Sequence, residues 1–245
     1  MKFFLYTTFV SFLLLGCDPH VDSICLGRDE AKMLGDVNRG DIAAVKEFLD
    51  EGGNVNLQDE PGMTPLHHAV NSDWKGKNFE MIKQLIDRGA NAKAIDDTHH
   101  TPLHWASNKK TAELLIDAGA DVNAKTLFDG NTILYSSARN AAQGHPKSYQ
   151  TYLGLVKLLI AEGADVNVKL KTGETTLHVV ARQFSEKHAS EVCELLIANG
   201  AKVNENNSQG LTPVDEALAK QRNKTADLLR KHRAKTAKEL KAEGK

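Results

Sequence analysis

Apolar residues recur at fixed offsets ahead of a repeated glycine. Seven, four and three positions before it stand Val45, Phe48 and Leu49 for Gly52, Ile82, Leu85 and Ile86 for Gly89, and Ala112, Leu115 and Ile116 for Gly119. The series continues with Val156, Leu159 and Ile160 for Gly163, and Cys193, Leu196 and Ile197 for Gly200. Offsets of three and four put these side chains on one face of a helix, and a glycine in the left-handed conformation closes it. A second anchor is a threonine ahead of an apolar pair, at Thr64, Thr101, Thr132, Thr175 and Thr212. Its hydroxyl can accept a hydrogen bond from a free amide of a first helical turn, and proline loses nothing at the next position. A helix is therefore expected to start at each threonine. The threonine steps are 37, 31, 43 and 37 residues and the glycine steps 37, 30, 44 and 37, so the two anchors drift together.

Between each stop and the next start lie turn residues such as Asp129-Gly130-Asn131 and Thr172-Gly173-Glu174, which suit a tight hairpin-like connection. Each unit thus reads as helix, turn, helix and projecting hairpin. The strings Thr-Pro-Leu-His (Thr64–His67, Thr101–His104) and Gly-Ala-Asp-Val-Asn (Gly119–Asn123, Gly163–Asn167) carry a resemblance to the ankyrin-repeat family, whose period is about 33 residues. It covers about 29–233. The implied fold is an all-α solenoid of stacked helix-turn-helix units, about six counting degenerate ends. Residues 29–56 lack the threonine start, and in the last unit His232 falls where the closing glycine should stand. These are the expected caps, whose outer faces stay polar. The second, fourth and fifth units carry insertions between their helices, while the third is shortened to Ser107–Thr111.

Met1 to Cys17 differs from the rest. Lys2 precedes thirteen residues, Phe3 to Leu15, in which only Thr7, Thr8 and Ser11 are not apolar. That run is too short to span a bilayer and has the parts of a secretory signal. Leu14-Leu15-Gly16-Cys17 resembles the lipobox of bacterial lipoproteins, which implies a signal peptide over 1–16, lipidation at Cys17 and a tether over 17–28. By the same resemblance, Asp18 favours the inner membrane and a periplasm-facing array. A plain signal peptide or an uncleaved anchor is the alternative. Of the other thiols, Cys25 lies in the tether and Cys193 on a late helix, so no bridge between them is expected.

A net charge of −1 draws the chain to no nucleic acid, but residues 220–245 hold ten Lys or Arg against three acids. Residues 234–245 read as a basic, solvated tail whose loss costs little stability, with an anionic lipid surface as the functional alternative. Ten histidines fit no zinc spacing, and no cofactor is expected. The resemblance makes His67, His104 and His178 structural, bridging backbone groups of adjacent units. His99 occupies the turn position held by Gly62, Gly130, Gly173 and Gly210, where positive φ is required. Nothing resembles a nucleophile with its base or a phosphate-cradling loop, so an enzyme is not expected.

The resemblance implies a monomeric module that binds another protein through helix and hairpin-tip residues. In the envelope this reads as an inhibitor or immunity protein for a toxin, with a scaffold for another exported protein, or an unrecognised hydrolase, as alternatives. Ankyrin arrays turn the residue after the histidine to the groove, which here gives His68, Trp105, Ser136, Val179 and Glu216. Tryptophan is enriched at binding hot spots, and Leu127 and Phe128 place apolar side chains where polar turn residues belong. The expected contact surface is His68, Trp105, His99, His100, Leu127 and Phe128. Alternatively, Trp105 fills the gap of the shortened loop, Phe128 folds back onto the array, and the inserted loops bearing Trp74 and Tyr149 bind instead. For the lipid anchor, the mature chain should begin at an acylated Cys17, and Cys17→Ala should leave it unprocessed or unlipidated. Intact-mass measurement decides this, and a free unmodified terminus elsewhere ends the reading.

Overall fold

The computed structural model describes residues 27–73, 76–145 and 147–244. The signal segment, Cys17, Cys25 and Trp74 lie outside the described residues. Helices pair along the chain: α1 (Arg28–Arg39) with α2 (Ile42–Asp50), α3 (Pro65–Asn71) with α4 (Phe79–Asp87), and a short 3₁₀ turn (Pro102–Trp105) with α5 (Lys109–Asp117). Next come α6 (Ile133–Gln143) with α7 (Tyr149–Ala161), α8 (Thr176–Ala181) with α9 (Glu186–Ala198), and α10 (Pro213–Ala219) with α11 (Asn223–Lys231). A last helix, α12 (Ala237–Ala242), follows. The first members form one row, α1 against α3, α3 against the 3₁₀ turn, α6 against α8 and α8 against α10; α5, α7, α9 and α11 belong to a second row. The described residues contain no strand, and none of their helices is long and apolar enough to cross a membrane.

All five threonines occupy the N-cap with extended backbone, as their spacing requires. The deep core is the face read from the glycine offsets: Val45, Ile82, Leu85, Ala112, Leu115, Val156, Leu159, Cys193 and Leu196 are fully buried. No unit could shield these side chains alone, so burial is shared between neighbours.

Backbone hydrogen bonds join the hairpins edge to edge. The Asp97 amide donates to the Pro61 carbonyl (3.0 Å), Leu127 to Thr98 (2.9 Å), Lys171 to Asp129 (2.9 Å) and Ser208 to Thr172 (2.9 Å). A Cβ on Gly173 would stand 2.7 Å from the Ser208 amide nitrogen, so this approach excludes a side chain as well as requiring φ of 73°. At the base of the hairpins, asparagines bind the next stop. Asn123 donates to the Gly163 carbonyl (3.2 Å) and accepts from the Asp165 amide (2.8 Å). Asn56, Asn167 and Asn204 make the same pair of bonds to their following stops.

Three sequence expectations need correction. At Thr101 the first helix shrinks to one 3₁₀ turn, because only a few residues remain before α5 and Ala106 is already extended. Asp73, buried in the preceding unit, steadies this short segment by accepting from the Asn108 amide group (3.0 Å) and the Thr111 hydroxyl. In the last unit the closing position is Arg233, with φ of 65°, not His232. The Ala234 amide bonds to the Leu229 carbonyl (3.0 Å), just as Ala120 bonds to Leu115 (2.9 Å), so Leu229 is the deep residue.

The third correction concerns the basic tail, which is not simply solvated. Residues 237–242 fold as α12, capped by Thr236 and Glu239, and bury Leu240 along with Ala234. Its acids are paired locally, Glu239 with Arg230 of α11 (3.4 Å) and Glu243 with Lys235. Deleting residues 236–245 should therefore lower unfolding stability by about 2 kcal/mol, from lost apolar burial and a lost hydrogen bond to a charged group. Urea denaturation of the two chains measures it, and an unchanged midpoint would restore the solvated tail.

Candidate functional site

The hydrogen bonds between units explain the histidines. Nδ1 of His67 accepts from the Thr64 amide (3.1 Å), and Nε2 faces the His100 carbonyl at 3.0 Å, one unit on. His104 reaches the Asn131 carbonyl (3.4 Å) and His178 the Leu211 carbonyl (3.1 Å). An amide can only donate and a carbonyl only accept, so each ring carries its proton on Nε2. Burial lowers the pKa of all three below the ordinary 6.5, outweighing the bonds that favour the charged ring.

Two units depart from histidine. Tyr135 sends its hydroxyl to the Glu174 carboxylate (3.4 Å). Asp215 accepts from the Thr212 amide (3.0 Å) and from the Ala237 amide at the start of α12 (2.8 Å). Where the next unit offers an acceptor oxygen, a donor stands at this position; where it offers a helix N-terminus, a carboxylate does.

The structure brings His99, His100, Leu127 and Phe128 onto two adjoining hairpins. His99 is exposed at φ 60°, meeting the conformational demand of the glycine series. His100 is half-buried, its Nδ1 2.6 Å from the Thr98 hydroxyl and its ring 5.4 Å from that of Trp105. Burial opposes ionisation of Asp96 beneath, but bonds from the Thr98 hydroxyl and the His100 and Thr98 amides prevail and hold its pKa below the usual carboxylate value. The hairpin bearing Phe128 has one residue more than the others: its closing bond runs from Thr126 to Asn131, against Asp59 to Met63, Asp96 to His100, Leu170 to Glu174 and Asn207 to Leu211. The extra residue leaves Phe128 74% exposed and Leu127 39% exposed.

His68 lies one unit away, its Nε2 2.7 Å from Asp59 and mostly shielded. Trp105 is half-buried against the core, and its indole nitrogen is buried without a partner. Of the other groove positions, Val179 and Glu216 are buried and Ser136 half-buried. Tyr149 is buried too, its ring centre 3.9 Å from that of His188 and its hydroxyl bonded to Glu191, so it offers no contact surface. Burial pushes the Cys193 thiol up, away from reactivity. Among the described residues no group of three or more His, Cys, Asp or Glu is placed to hold a metal.

Sequence reasoning missed a polar network in the groove. Arg182 pairs with both Glu174 oxygens and lies 3.6 Å from Glu216, which also accepts from Asn207 (3.2 Å). These residues are distant in sequence and follow no motif.

The family model for ankyrin repeats (three copies) matches residues 35–126 and 145–239. The chain belongs to the ankyrin-repeat family. Its array is similar to an ankyrin repeat domain from Acinetobacter baumannii, with a TM-score of 0.71 and 25% identity over 84% of this chain and 100% of that one. It is also similar to the immunity protein in the complex with a predatory endopeptidase from Bdellovibrio bacteriovorus, with a TM-score of 0.61 and 30% identity over 81% of this chain and 96% of that one. Neurogenic locus notch homolog protein 1 of Mus musculus is 28% identical over 203 residues, 83% of this chain but 6% of its own length. A putative ankyrin repeat protein of Rickettsia felis is 30% identical over 107 residues, 43% of this chain and 44% of its own. The ankyrin array is an all-α protein-binding module.

The histidines generate a pH prediction. Their folded pKa values lie below the unfolded one, so below about pH 6.5 the unfolded chain takes up protons that the folded chain refuses. Stability should be full above that pH and fall progressively on acidification, until the folded rings also protonate. Thermal unfolding between pH 7.5 and 5 checks this, and His178→Gln should flatten the dependence.

Proposed function

We propose that this ankyrin array is an immunity protein, lipid-anchored through Cys17 at the periplasmic face of the inner membrane, that binds and inhibits an exported peptide hydrolase. The observation that carries the reading is its similarity to the immunity protein seen with a predatory endopeptidase, which runs along nearly the whole of that chain. The lipobox-like Leu14–Cys17 supports the location, since an inhibitor of an envelope hydrolase is needed where the enzyme acts.

The contact surface in this reading is the pair of hairpins with His99, His100, Leu127 and Phe128, continued by Trp105 and His68. Phe128 is its anchor. A phenyl ring raised on a lengthened hairpin gains nothing from folding and can enter a cleft in a partner. His68 and Trp105, both largely packed, contribute edges rather than whole faces.

The test is to crosslink the partner in membranes, purify it and assay its peptide hydrolysis with and without the chain. Inhibition is the expected result; unchanged or enhanced activity would replace immunity by a scaffold role. Phe128→Ala should weaken the complex by about 2 kcal/mol or more without loss of helix content. Trp105→Ala should weaken it too, but at some cost in stability because of its core contacts. Full affinity in a folded double variant would move the contact elsewhere.

A further inference from the structure

A second feature lies in the groove, across the two units that follow Trp105. Helices α6 and α8 border a cavity of about 640 Å³, with Val179 among its lining and Tyr135, Arg139, Gln143, Arg182 and Phe184 around it. Phe184 is 81% exposed, more than any other large apolar side chain among the described residues. It stands in the short linker between α8 and α9, with the Arg222 guanidinium 4.8 Å from its ring centre.

The site is braced from behind. Gly144 ends α6 at φ 70°, and a Cβ there would come within 2.5 Å of Ser185, the residue after Phe184. The Ser185 hydroxyl in turn is 2.6 Å from His188 Nδ1, and the His188 ring packs at a tilt against Tyr149. The loops after α6 and α8 therefore form one wall.

Charge around the cavity is unevenly matched. Glu174 and Glu216, both largely buried, turn to Arg182. Arg139 and Arg222 make no ion pair among the described residues, and the Arg222 Nε is buried with no acceptor. Arg139 and Phe184, both exposed, line the same cavity and together suit a carboxylate next to an apolar side chain.

We propose that this cavity receives an acidic segment of the protein partner, with a carboxylate pairing with Arg139 and an adjacent apolar side chain laid against Phe184. The inference rests on the reading of the chain as a protein-binding inhibitor and adds a second contact, separate from Phe128. The hairpin surface would then enter the partner while this cavity holds a loop of it.

Two measurements on the full chain decide the point. In the first, the blocked pentapeptide Gly-Leu-Glu-Leu-Gly and its counterpart with central glutamine are titrated while NMR signals of Phe184 and Arg139 are followed. The acidic peptide should shift both signals, and the glutamine peptide or Arg139→Gln should reduce affinity by about tenfold. Equal binding of the two peptides, shifts elsewhere, or no shift at millimolar peptide overturns the proposal. In the second, Arg139→Glu and Phe184→Ala are assayed for inhibition of the purified hydrolase, where each should weaken inhibition by about tenfold or more. If inhibition survives both but is lost with Phe128→Ala, the cavity proposal fails and the inhibitor reading stands. If the unaltered chain does not inhibit, that reading fails and the peptide titration alone decides the cavity.

Discussion

A neutral imidazole spanning two units is the contact on which the array depends. In His67 and its counterparts one nitrogen completes the cap of its own helix and the other closes onto the carbonyl of the following hairpin. The same side chain thus starts a unit and joins it to the next, deep in a low-dielectric interior where an unpaired nitrogen would be costly. With the asparagine bonds at the stops and the amide bonds between hairpins, every unit is satisfied only in the presence of its neighbour. Stability therefore runs along the stack.

The ends of the array show the same constraint from the other side. At the C-terminus the next element is a helix N-terminus, which presents amide donors, and the imidazole gives way to Asp215. The Thr212 hydroxyl also donates to the Lys235 carbonyl (2.9 Å), tying the last helix down further. Residues 234–242 are thereby a cap rather than a tail. Charge composition alone favoured solvent for this stretch because one buried leucine among many lysines leaves little trace in a count.

The binding surfaces arise where the repeat is irregular. Shortening the third unit removes most of its first helix, draws Trp105 inward and relies on Asp73 of the unit before. One extra residue in the next hairpin pushes Phe128 outward. The insertions of the fourth and fifth units build the wall behind Phe184. Regular units are occupied with holding one another; departures from regularity leave side chains that folding does not consume.

The sequence by itself determined the family, the number and order of units, the helix starts at five threonines and the buried face read from the glycine offsets. It could do so because caps, stops and apolar spacing are local requirements of a helix, repeated often enough to be unmistakable. Even the one-residue disagreement between threonine and glycine steps was visible, and it is the extra residue of the Phe128 hairpin. Only the tertiary structure decided that Arg233 rather than His232 closes the last unit, that Tyr149 is buried and that Trp105 is largely spent on packing. It alone joined Arg139, Phe184 and Arg222 around one part of the groove. Those outcomes depend on what a neighbouring unit presses against each side chain, and contacts between units leave no periodic mark in the sequence.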